Sequence, residues 1–101
     1  MKARRMTRRE VQTWFSQGFG FAAEEGGKDV AIVGFTVGDA FYAHSLMATD
    51  AFGMACLFQA ITKEAREKGY REVKFHLEED SPLHRLRRMN DLGNGIYSVN
   101  T

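Results

Sequence analysis

The chain has 101 residues, 44% of them hydrophobic, with eight Phe, three Tyr and one Trp, which is material for one core and not for two. This composition excludes a disordered chain, and a formal net charge of +1 argues against wholesale electrostatic binding to nucleic acid. A single cysteine, Cys56, excludes an internal disulfide and a cysteine-clustered zinc site; no apolar run reaches the ~18 residues of a membrane span, so no membrane partner is expected and the default location is cytoplasmic.

The N-terminus is basic (Lys2, Arg4, Arg5, Arg8, Arg9), and no apolar stretch follows it as a signal peptide requires. Residues 1–6 therefore read as a disordered basic arm on a single domain spanning 1–101. Thr7 and Glu10 have capping-box spacing, Val11, Trp14 and Phe15 share one helical face, and Gly18 suits a left-handed stop, which predicts a helix over 8–17.

From Phe19 the period changes to two. Phe19, Phe21 and Ala23 mark a strand, and Glu25-Gly26-Gly27-Lys28 a turn. Val30, Ile32 and Val37 belong to a second strand, apolar on both faces around Ala31-Ile32-Val33 as a central strand is. Gly38-Asp39 turns the chain into a third strand over 41–47, completing an antiparallel meander. Thr49 or Asp50 caps the next helix, whose buried stripe is Met54, Leu57, Phe58, Ile61 and Ala65 and whose end is Gly69.

Val73, Phe75 and Leu77 alternate in a fourth strand, so strand, helix and strand imply a parallel crossover. Ser81-Pro82 opens a short helix carrying Leu83, Leu86 and Met89, and Gly93 and Gly95 precede a last strand with Ile96 and Val99. The predicted class is α+β, a mixed and mostly antiparallel sheet with helices packed on it, in the order α-β-β-β-α-β-α-β.

The stretch from Phe41 to Asp91 resembles the acetyl-CoA-binding half of a GCN5-related N-acetyltransferase (GNAT). In that family a strand ends in a phosphate loop, often Arg or Gln followed by spaced glycines, that opens the long helix. The corresponding segment here is Ala48-Thr49-Asp50-Ala51-Phe52-Gly53-Met54-Ala55, and the helix ends in Ala65-Arg66-Glu67-Lys68-Gly69-Tyr70 before the strand Glu72-Val73-Lys74-Phe75.

The resemblance implies acetyl-CoA as cofactor, its pantetheine arm between two splayed parallel strands and its pyrophosphate at the helix N-terminus, where unpaired N–H groups collect. Leu46, Met47, Ala48, Ala51, Phe52, Gly53, Met54 and Ala55 are the implied cofactor-binding residues. No Arg or Gln stands in the loop under either register. One register sets Asp50, Gly53 and Ala55 at the motif positions, the other Ala48, Ala51 and Gly53. The family's later Asn and Tyr fall near Asp80 and near Arg87 or Arg88, so no catalytic tyrosine carries over.

His44, on the strand expected to face the crevice, is the candidate general base, because imidazole titrates in the useful range. The alternative for His44 is a half-buried structural histidine. Cys56, Glu24, Glu25, His76 and His84 read as packing or surface residues, and Arg85, Arg87 and Arg88 as a basic patch. Two functions follow from the resemblance: acetyl transfer to an amine of a protein or small molecule, or a catalytically silent GNAT-fold binding module, regulatory or phage-encoded, acting through protein contacts. A homodimer is expected through Trp14, Phe15, Ile96, Tyr97 and Val99, because one closing strand leaves the sheet short and its edge open.

Overall fold

The computed structural model describes every residue except Pro82 and Arg87, and of Leu86 the backbone alone. The readings of Pro82 at a helix start, of Leu86 on an apolar face and of Arg87 in the basic patch lie outside the described residues. The elements are β1 (Lys2–Arg5), α1 (Arg8–Trp14), β2 (Phe19–Glu25), β3 (Lys28–Val37), β4 (Phe41–Ala48), α2 (Ala51–Glu67), β5 (Glu72–His76), α3 (Leu83–Leu86), β6 (Asn90–Gly93) and β7 (Ile96–Asn100). They build one seven-stranded sheet in the order β1-β2-β3-β4-β5-β7-β6, antiparallel except where β4 meets β5.

The expected element order is thus enlarged by a strand at each end. Residues 2–5 are not an arm: β1 pairs antiparallel with β2, Lys2 opposite Glu24 and Arg5 opposite Phe21. Adjacent strand residues point to opposite faces, and both arginines find carboxylates. Arg4 bonds Glu10 in a fork at 3.0 and 2.8 Å, Asp29 at 2.8 Å and Glu24 at 3.4 Å. On the other face Arg5 reaches Glu64 of α2 at 2.7 Å and lies 5.2 Å over the Phe21 ring. Burial works against the Glu64 charge, but hydrogen bonds from Arg5 and Lys68 outweigh it and hold the carboxyl below its ordinary value.

At the other end, Gly93, Asn94 and Gly95, all at positive φ, turn β6 back on β7. That hairpin supplies a second closing strand where the sequence predicts one. Of the proposed contact residues Val99 is in the core, Phe15, Ile96 and Tyr97 are half-buried, and Trp14 is exposed. Helix α1 is shorter than predicted: Phe15 is its C-cap, and the chain goes left-handed at Ser16 before Gly18.

The main core lies between the sheet and α2. Phe21, Phe35 and Phe41, from three adjacent strands, stack at 5.4 and 4.9 Å, and Phe58 of α2 stacks on Phe75 at 5.6 Å. Phe58 and Ile61 are buried as the helical periodicity requires. A smaller cluster of Met6, Val11 and Ala22, with Phe15 and Ile32 packed on it, holds α1 to the opposite face. Helix α2 presses close on β3 through Gly53. A Cβ there would stand 3.0 Å from the Ala31 Cβ and 3.5 Å from Val30 Cγ2.

Two predictions follow from this packing. Gly53→Glu should destabilise the domain by roughly 1–3 kcal/mol through overpacking, read as a lower denaturation midpoint; an unchanged midpoint would mean α2 does not approach β3 this closely. The second concerns Glu10, whose carboxyl is held down to about 2 from 4.5, chiefly by the bond from Arg4 and then by the Thr7 amide. Its folded value lies below its unfolded one, so its contribution is complete above about pH 4.5 and is lost as pH falls toward 2. Glu10→Gln keeps the capping box and removes the charge. Its stability deficit at pH 6 should stay below about 1 kcal/mol for a partly exposed pair and shrink steadily as pH falls toward 2; a deficit independent of pH would contradict the pairing.

Candidate functional site

Strands β4 and β5 are hydrogen-bonded over only three pairs, Phe41 with Val73, Tyr42 with Lys74 and Ala43 with Phe75. The next residue, His44, is an extra residue in β4: Gly34 of β3 pairs with Ser45 and Phe35 with Ala43, so His44 has no opposite number. A bulge bends its strand and sharpens the twist, and β4 leaves β5 at this point. Beyond Ala43 the β5-facing edge of β4 has no strand partner, while β5 continues along β7 to the His76–Ile96 pair.

The parting opens a slot of about 560 Å³. Leu46, Met47 and Ala48 line one wall, Met54 of α2 lies at its base, and His76, Leu77, Glu78, Asp80 and Ser81 form the other wall. Of the expected cofactor-binding residues, Leu46, Met47, Ala48 and Met54 come together here. Ala51 and Phe52 are exposed in the first turn of α2, Ala55 is half-buried on the helix, and Gly53 is buried.

The helix end is already occupied by its own cap. Asp50 Oδ1 accepts from the Gly53 amide at 2.7 Å, so one of the orphan donors that would face a pyrophosphate is satisfied by a carboxylate. Among the described residues the slot lining holds no lysine or arginine. The wall of Leu46, Met47 and Ala48 is apolar, and its open strand edge fits a pantetheine arm, which can bond to β4 as an added strand would; the facing wall is polar apart from Leu77. The phosphate end offers the dipole and first-turn amides of α2, set against the charge of Asp50.

His44 does not line the slot. Its ring packs against Phe15 at 5.8 Å, its Cε1 would lie 2.7 Å from a Cβ on Gly34, and Nδ1 is 3.2 Å from Ser45 Oγ. Nε2 is buried without a partner, and burial pushes the imidazole below the ordinary histidine range. His44 thus sits as a neutral ring between α1 and the sheet. Glycine at 34 is what leaves room for it.

The slot instead presents His76, which the alternation in β5 puts on a solvent-facing or helix-covered face of the sheet. Its access to the slot depends on β4 having left, and that is set by the bulge one strand away. His84 is half-buried, its Nε2 3.0 Å from the Glu78 carbonyl oxygen and its ring edge-on to Tyr97 at 4.6 Å. Half-buried Cys56 lines a different cleft, between β1 and α2. Glu24 is bound to Arg4, while Glu25, Arg85 and Arg88 are exposed.

No family model and no curated protein matches the sequence. Solved structures match the fold. A GNAT family acetyltransferase from Elizabethkingia anophelis, with acetyl-CoA bound, superposes with a TM-score of 0.63 at 11% identity, covering 94% of this chain and 84% of that one. An IAA acetyltransferase from Bacillus cereus gives a TM-score of 0.63 at 11% identity over 98% of both chains. At that identity the likeness is one of architecture: the chain has the GNAT fold, with the splayed parallel pair at its centre.

Proposed function

We propose that the protein is an acetyl-CoA-dependent N-acetyltransferase that works in the β4–β5 slot. The observation that carries this reading is the parting of the two strands after Ala43, which leaves a strand edge open over a slot with one apolar wall beside the N-terminal turn of α2. A neighbour of the same fold binds acetyl-CoA, which supports the choice of cofactor.

Acetyl-CoA, when bound, supplies an acyl thioester. The chain's own groups do the rest. The free edge of β4 around Leu46–Ala48 orients the ligand, and its amides polarise the carbonyl as an oxyanion site. Leu46, Met54 and Leu77 keep water from the slot. The exchange of a C–S for a C–N bond moves one proton from the amine nitrogen to the departing sulfur. The His76 imidazole stands on the slot wall as a group able to supply the sulfur's proton and regain one from solvent. The acceptor class is an amine.

A second reading has its own support. The Asp50 carboxylate at the helix end and a lining without lysine or arginine among the described residues favour a GNAT-fold module that has given up phosphate binding and acts through its surface.

Calorimetry separates the two. The enzyme reading predicts saturable acetyl-CoA binding that tightens about three- to tenfold in Asp50→Asn, which keeps a cap and removes the charge facing the phosphates. No heat from either protein, at ligand concentrations up to millimolar, would leave the silent module as the account of this chain.

A further inference from the structure

Strands β4 and β5 run parallel beyond their last pair, Ala43 with Phe75, so the two walls of the slot end together. At that far end Ala48 leads into Asp50 on one side, and Glu78 and Asp80 stand on the other. Asp50, Glu78 and Asp80 are all exposed, and among the described residues no lysine or arginine lies within ion-pair distance of any of them. Three carboxylates thus gather, unneutralised, where a nucleotide diphosphate would leave the slot.

The backbone donors at this end are mostly spent. The Thr49 amide and hydroxyl both donate to the Val30 carbonyl, at 3.2 and 3.0 Å. The Gly53 amide is taken by Asp50 Oδ1 at 2.7 Å, which leaves those of Ala51 and Phe52 in the first turn of α2. A helix end supplies only about half a positive charge, set here against three carboxylates. The arm end is the opposite case. Beyond Ala43 the β4 edge has no strand partner, and Leu46, Ala48, Met54 and Leu77 border it. An amide-bearing, otherwise apolar chain finds backbone bonds and contact there.

We infer that the slot takes its acyl group from a pantetheine arm carrying at most one phosphate, and that Asp50, Glu78 and Asp80 select against the CoA nucleotide. This rests on the transferase reading and narrows its donor: acetyl-CoA enters by its arm and is held back by its phosphates. Two sources share the favoured chemistry. One is a free 4′-phosphopantetheine thioester. The other is the same arm on the serine of a carrier protein, where the phosphate is a singly charged diester.

Calorimetry on the full chain tests this with S-acetyl-pantetheine, S-acetyl-4′-phosphopantetheine, acetyl-CoA and an acetylated holo-carrier protein. Affinity should fall in that order across the three small ligands, with acetyl-CoA about three- to tenfold below acetyl-pantetheine. Raising the ionic strength from about 0.05 to about 0.5 M should tighten acetyl-CoA and leave acetyl-pantetheine within about twofold, because screening relieves repulsion. The triple variant Asp50→Asn, Glu78→Gln, Asp80→Asn, with its far-ultraviolet dichroism unchanged, should bring acetyl-CoA level with acetyl-pantetheine. A carrier that binds more tightly than acetyl-phosphopantetheine supports the inference with the carrier as source; one that binds no better supports it with the free thioester. Acetyl-CoA binding more tightly than acetyl-pantetheine, or weakening as salt rises, would overturn the inference and leave the transferase reading standing. Heat from none of the ligands would remove the transferase reading and this inference with it.

Discussion

The β4–β5 slot depends on the two strands remaining paired for three residues and no more. A parallel pair buried under a helix normally runs on, because each unpaired backbone group left in an apolar place costs free energy. Here the pairing stops where His44 is inserted into β4, and the backbone beyond it is left for something else to satisfy. The slot is therefore part of the strand geometry.

What keeps the parting open is the packing around it. The Phe21–Phe35–Phe41 stack and the Phe58–Phe75 pair fix α2 across the strands just below the point of divergence. Gly53 lets the start of that helix settle onto β3, which sets Met54 at the base of the slot. On the opposite face His44 is wedged between Phe15 and Gly34, so the inserted residue is locked in place by α1. His44, the candidate base, thus packs at the bulge away from the slot, and His76 lines the slot.

Much of the fold was legible in the residues themselves. The Thr7–Glu10 spacing is the capping box that forms, with Glu10 Oε1 on the Thr7 amide and Thr7 Oγ1 on the Glu10 amide. The stripe Met54, Leu57, Phe58, Ile61, Ala65 is the buried face of α2, and Gly69 at φ +87 ends the helix turn that leads into β5. Such features are local, since a cap and a helical face lie within a few residues of their partners. Strand β1 was illegible for the opposite reason. A run of Lys and Arg reads as a solvated arm unless its carboxylates are known, and those of Arg4 and Arg5 lie up to 59 residues away. The slot's second wall was hidden likewise, because which side chains of β5 border a cavity depends on the register of a neighbouring strand and not on β5's own alternation.

The most direct test of the open edge of β4 as a binding edge is an amide chemical-shift titration of the isotopically labelled protein with pantetheine, which carries the arm and thiol end of CoA but no phosphates. The account predicts shifts concentrated at residues 45–48 and 76–78, on the two walls of the slot, and none in the cleft around Cys56. No shifts, or shifts centred on that cleft or on the outer edge of β1, would contradict it.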